Sequence, residues 1–296
     1  MLDVALPMIV ANVTVPLVGI ADAAAVGRLD DPASLAGVAV GAMLFSVLFT
    51  ALNFLRMGTT GLAAQAHGAG DPAAAVLRQG LLVALALAAG LVALAIPLQT
   101  AALALFAPAP EVADEAAAYF TARLAGAPAT LALFVLTGWF IGRGDGRSPL
   151  AVVLTVNLLN VALDFAFVWG LGLAARGVGL ATAIAEYTGL ALGLVLARRA
   201  TRGARGGHQP SFRRFLAVNL PLLVRTVALM LCFGFLTAMG ARFGSAVLAA
   251  NALLLNFLYL ASYALDGFAN AAESLVGRAV GAADTDALRR ALSLSA

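Results

Sequence analysis

Eight apolar runs, each near or above the length that carries a helix across a bilayer core, fill this sequence from end to end. They cover residues 4–26, 35–66, 77–106, 124–142, 150–172, 178–197, 215–240 and 246–276, bounded by Gly, Pro and clusters of charge. Only 11% of the residues are charged and 62% are hydrophobic. A water-facing surface needs roughly a quarter charged residues, so soluble enzymes, nucleic-acid binders and disordered chains are excluded. Asp3 precedes a full-length span with no basic leader before it, so the first run reads as a membrane helix, not a signal peptide. One cysteine, Cys232, rules out a disulfide framework. The fold class is an all-α polytopic membrane protein. Spans two, three and eight exceed ~20 residues and are expected to tilt or project. The acidic stretch Glu111–Thr121 is expected to lie as an interfacial helix before span four.

The charges give an orientation. All 18 basic residues are arginine. Twelve of them (Arg78, Arg143, Arg147, Arg198, Arg199, Arg202, Arg205, Arg213, Arg214, Arg278, Arg289 and Arg290) fall on one side of the predicted spans. Four, Arg28, Arg123, Arg176 and Arg242, fall on the other. Positive loops stay in the cytoplasm, which predicts a cytoplasmic N-terminus.

An internal repeat divides the chain. Leu6-Pro7-Met8-Ile9-Val10 matches Leu220-Pro221-Leu222-Leu223-Val224 at an offset of 214. Leu62 through Gly68-Ala69-Gly70-Asp71 matches Leu275 through Gly281-Ala282-Ala283-Asp284 at 213. Spans seven and eight thus repeat spans one and two, in the same orientation, about an axis along the membrane normal. The expected organisation is a six-helix N-terminal lobe over 1–200, a cytoplasmic linker over 201–214, and the first two helices of a second lobe over 215–296. On this reading the sequence holds one complete repeat and a third of the next, as a truncated chain would.

An ionisable group at membrane depth costs at least ~2.5–3.5 kcal/mol, so each one asks for a reason. Asp22 lies in the outer part of span one, where it is either a functional carboxylate or a helix-end residue touching water. Asn157, Asn160 and Asp164 share one face of span five, as a polar site or as an interhelical seam. Thr182 and Glu186 lie one turn apart in the outer half of span six. Depth alone therefore places Asp22, Asp164, Thr182 and Glu186 where they can line one cavity. Two carboxylates sharing such a place titrate as a coupled set, which suits a site that holds either a proton or a cation. Pro7 and Pro16 interrupt span one and predict a kink, static or moving.

Span eight carries a second polar stripe of Asn256, Tyr259, Tyr263, Asp266, Asn270 and Glu273. Arg225 in span seven matches Asp266 in depth, and the two are expected to form an ion pair or near pair. Arg143-Gly144-Asp145 and the surrounding glycines carry no adhesion or phosphate-loop meaning in a cytoplasmic turn, and Asn12-Val13-Thr14 is buried in span one. No nucleophile–base arrangement or metal-ligand spacing occurs around His67 or His208, so neither an enzyme nor a metal site is expected.

These residues resemble the multidrug and toxic compound extrusion (MATE) family, in its DinF-like branch. The resemblance runs through Ala5-Leu6-Pro7-Met8-Ile9, Gly19-Ile20-Ala21-Asp22, and Phe54-Leu55-Arg56-Met57-Gly58-Thr59-Thr60-Gly61. It continues in Leu136-Thr137-Gly138-Trp139-Phe140, Asn157-Leu158-Leu159-Asn160 with Leu163-Asp164-Phe165, and Tyr263-Ala264-Leu265-Asp266-Gly267-Phe268. It implies two six-helix lobes around a central cavity, of which this chain would hold one and the start of the second. It also implies export of cationic or amphipathic small molecules in exchange for protons or sodium ions. The family's coupling aspartate corresponds to Asp22, its fifth-helix Asn and Asp to Asn160 and Asp164, its sixth-helix Thr to Thr182, and its bending proline to Pro7. The usual Val-Asp-Thr around the aspartate is here Ala21-Asp22-Ala23. Asn219 is followed by Leu220 and Pro221 where the branch has an Arg-Asp pair. Span seven has no acidic residue, which favours protons over sodium. A monomer in the bacterial inner membrane with no organic cofactor is expected. The alternatives are a lipid-linked oligosaccharide flippase of the same superfamily, whose cavity would be more basic, and an inactive truncated membrane protein.

Overall fold

In the computed structural model, residues 1–29, 31–202, 212–242 and 245–295 are described, and they are almost entirely helical. The first run forms α1 (Leu2–Val26), with Pro7 and Pro16 both inside it. The second forms α2 (Pro32–Leu52) and α3 (Phe54–Gly68), parted at Asn53. Asp31 caps α2 by accepting from the Ala33 and Ser34 amides at 3.0 and 3.2 Å. Those bonds and the Ser34 hydroxyl, the largest influence, hold the exposed Asp31 carboxyl below its usual range.

The third run is also parted, into α4 (Ala74–Ala93) and α5 (Ala95–Phe106). Pro97 explains the break: it donates no amide hydrogen and its ring crowds the carbonyl four residues back, at Ala93. Then come α6 (Pro110–Leu124), α7 (Ala127–Gly142), α8 (Arg147–Phe165) with a closing π-helical turn over Ala166–Gly170, and α9 (Ala174–Ala200). The second lobe begins with α10 (Phe212–Arg242) and α11 (Ser245–Gly281), followed by α12 (Thr285–Ser295). Among the described residues six helical stretches are long and apolar enough to cross a membrane, or seven with the α6–α7 pair counted as one. The eighth predicted run lies in α11. Most of the expected 201–214 linker, and the side chains of Asn256, Tyr259 and Tyr263, lie outside the described residues.

One element departs from expectation. The stretch at 111–121 is not an isolated interfacial helix: it is part of α6, which bends by 52° into α7 and packs along α2 and α9. Small residues admit it. Gly37 and Gly41 of α2 lie against Glu115 and Tyr119, and Gly179 of α9 lies against the Tyr119 carbonyl. Apolar burial does not drive helices together in lipid, so close backbone approach at glycine supplies the dispersion contacts instead.

At the centre is α7, with Leu131, Val135, Leu136, Trp139 and Phe140 fully buried against α3, α4 and α9. The outward faces stay apolar and exposed, as at Leu82, Leu85, Ile96 and Leu158. The two lobes meet at the end of the bundle that carries Met1, where α11 packs on α1 and α3, and α10 on α3 and α2. There Gly68 lies against the Arg278 carbonyl and Gly281 against the Gln65 carbonyl. Residues 65 and 278, and 68 and 281, are each 213 apart, so the repeat read from the sequence reappears as one contact made twice.

Candidate functional site

The helices α1 and α8 lie side by side and run in the same direction, from the Met1 end to the far end. Two polar rungs join them. Near the far end the carboxyl groups of Asp22 and Asp164 lie within hydrogen-bonding reach of each other. Two carboxyls that close both only accept while ionised, so the arrangement is one that can share a proton. About two turns nearer Met1, the Asn157 amide donates to the Thr14 hydroxyl at 2.7 Å, and that hydroxyl donates to the Ala11 carbonyl at 2.7 Å.

The third member of the α8 face turns to another helix. Asn160, 1% exposed, donates to the Thr182 hydroxyl of α9 at 3.1 Å. Thr182 in turn donates to the Val178 carbonyl at 2.9 Å. The structure thus brings together Asp22, Asp164, Asn160 and Thr182 across three helices. It places Asn157 apart from them, on Thr14 of α1.

Glu186 also differs from expectation. One turn from Thr182, it receives both guanidinium nitrogens of Arg123 at 2.7 and 2.8 Å and the Thr130 hydroxyl at 2.7 Å. Arg123 and Glu186 are 7% and 8% exposed. The guanidinium lies over Phe49 and Phe45, 5.0 and 5.5 Å from the ring centres. Sequence reasoning put Arg123 in a loop. The available signal was Glu186 itself: a carboxylate at that depth requires a counter-charge, and Arg123 was among four arginines on that side.

A second polar cluster sits between the lobes at the Met1 end. Arg56 of α3 donates to Asn270 of α11 at 2.8 Å and to its own neighbour Asn53 at 3.1 Å. Glu273 and Asp266 of α11 lie within its electrostatic reach. Among the described residues no salt bridge joins Arg225 to Asp266, and both are exposed. Arg56 is a cation whose charge reaches Asp266, because α3 packs directly against α11.

The MatE family model matches residues 7–166 and 221–296. This chain belongs to the MATE family. It is 45% identical over 289 residues to DNA damage-inducible protein F of Escherichia coli strain K12, covering 95% of this MATE chain and 63% of that protein. It is 32% identical to the probable multidrug resistance protein NorM of Deinococcus radiodurans, covering 98% of this chain and 66% of that one. The chain therefore spans under two thirds of the length of these relatives. Solved MATE structures share its fold. A MATE in complex with MaD3S superposes with a TM-score of 0.86 at 22% identity, over 99% of this chain and 68% of that one. An outward-facing multidrug resistance MATE transporter gives 0.84 over 99% and 67%.

Proposed function

We propose that this MATE chain serves proton-coupled export of cationic or amphipathic small molecules by alternating access, with Asp22 and Asp164 as the proton site. The observation that carries the reading is the approach of the Asp22 and Asp164 carboxyls across α1 and α8 to hydrogen-bonding reach, where the two can share one proton. Removing that proton leaves two adjacent negative charges, which a bound cation or a shift of α1 relieves. Asn160 and Thr182 keep Asp164 in place through α8 and α9. Pro7 and Pro16 leave α1 short of two backbone hydrogen bonds, so α1 is the helix that bends at least cost.

The lobes are closed at the Met1 end, and the proton site lies towards the other end. With Met1 in the cytoplasm of a bacterial inner membrane, protons enter from outside and substrate leaves there. Protons serve as the coupling ion with no organic cofactor, and the chain works as a monomer. The name of one relative, the probable multidrug resistance protein NorM, supports an efflux role.

The test needs no full transport cycle. In weakly buffered detergent solution, binding of a fluorescent lipophilic cation to this chain should release protons. Asp22→Asn should abolish that release, and any pH-driven efflux from vesicles, while the protein still inserts and elutes as the wild type does. Proton release persisting in Asp22→Asn would remove the coupling assignment.

A further inference from the structure

The Arg123–Glu186 pair takes no part in the reading above, yet it stands beside the carboxyl pair. Polar contacts and single helical turns connect the two. Asp164 is one turn from Asn160, Asn160 bonds to Thr182, and Thr182 is one turn from Glu186, which holds Arg123. Tyr119 of α6, one turn before Arg123 and against Gly41 of α2, lies within electrostatic reach of Arg123, Asp22, Glu186 and Asp164 alike.

The charged and titratable groups around the carboxyl pair are few. α1 supplies Asp22 and α8 supplies Asp164. α6 supplies Arg123 and Tyr119, with Glu115 two turns before Arg123, close to the Ala175 amide. α9 supplies Glu186. α2 has no charged residue. At the outer rim Arg28 lies over Trp169, 5.1 Å from the ring centre. On α11, Asp266 and Glu273 belong to the Met1-end cluster around Arg56. Arg123 is the cation among these whose charge reaches Asp22.

Stability alone does not call for this ion pair. Well-packed apolar residues in place of a buried pair are often as stable or more so, because desolvating two charges costs as much as their attraction returns. What apolar residues cannot do is act at a distance on a neighbouring titration.

We propose that Arg123 is a positioning residue that sets the pH at which the Asp22–Asp164 pair gives up its shared proton, and that Glu186 is its counter-charge and not a proton carrier. The inference rests on the carboxyl pair being the proton site. With Glu186 in place the guanidinium's charge is offset only in part, and its attraction still reaches Asp22. Without it a bare cation stands beside the pair and favours the pair's charged form. Without either residue the pair loses the cation's help.

The experiment is an infrared titration of the protonated-carboxyl band of the full chain in detergent. The band is assigned by its loss in Asp22→Asn and Asp164→Asn. Glu186→Gln should lower the midpoint by about one pH unit, the scale of one added charge acting over several ångström at an effective dielectric near ~20. Arg123→Gln with Glu186→Gln should raise it above wild type, and Glu186→Asp, which keeps the charge, should leave it unmoved. The doubly neutral chain has no lone buried charge, so it still tests the inference if Glu186→Gln fails to fold. Unchanged midpoints in folded Glu186→Gln and in the double variant overturn the proposal, as does loss of part of the wild-type band in Glu186→Gln. A band that survives both aspartate substitutions overturns the proton-site reading together with this one.

Discussion

Gly281 of α11 lies directly against the main-chain carbonyl of Gln65 in α3. The reciprocal contact, Gly68 on the Arg278 carbonyl, is its repeat-related copy, and between them Gly277 lies against Ala64. Residues 64 and 277 are themselves 213 apart, so the axis relating the repeats passes close to this contact. No side chain fits at Gly68 or Gly281 without parting the helices. Gly281→Leu should therefore destabilise the chain by roughly 1–3 kcal/mol, the usual cost of overpacking. Ala282→Leu, at an exposed neighbouring position, is the control. Thermal melting in detergent reads the difference, and equal melting points for the two would contradict the contact.

Arg56 links the lobes one polar group at a time, and Asn270 depends on it. Arg56→Met removes the 2.8 Å bond to Asn270 and leaves Glu273 without the nearby cation. The expected loss is about 1.5–3 kcal/mol, typical of a hydrogen bond to a charged group. Adding Glu273→Gln should recover part of it, because the uncompensated carboxylate goes too. Denaturation followed by tryptophan fluorescence measures both. Strict additivity of the two substitutions would argue against the coupling.

Thr14 lies two residues before Pro16, where α1 lacks a backbone hydrogen bond. Its hydroxyl accepts from Asn157 and donates to Ala11, pinning the weak point of α1 to α8. Thr14→Val keeps the shape and loses the bond, at a cost of about 0.6–2 kcal/mol in a membrane interior. Hydrogen exchange of amides 11–20 should accelerate, while the Asp22–Asp164 carboxyl band stays in place. Unchanged exchange in α1 would mean that the Asn157 bond does not restrain the helix.

Much of the architecture was legible beforehand because membrane insertion is a local property. A run of apolar residues states its own length, and the scarcity of charge makes each carboxylate informative. That is why Asp22, Asp164, Thr182 and Glu186 could be grouped by depth before any contact was known. The repeat likewise foretold the α3–α11 symmetry.

Contacts sideways in the membrane were not legible. Asn157 bonds to Thr14 and Glu186 to Arg123, partners that position along a helix does not reveal. Arg225 and Asp266 matched in depth, yet among the described residues no salt bridge joins them.

The sequence by itself determined that the chain is a succession of apolar helices, where the polar residues lie along each of them, and that its last long helices repeat its first. Those properties follow from transfer free energies summed along a single helix. Only the tertiary structure decided which helix faces which: that α6 bends into the bundle, that Arg123 is buried against Glu186, and that Arg56 bridges the lobes. Neighbours are chosen by close approach at Gly37, Gly41, Gly68, Gly179 and Gly281, where fit depends on two surfaces at once.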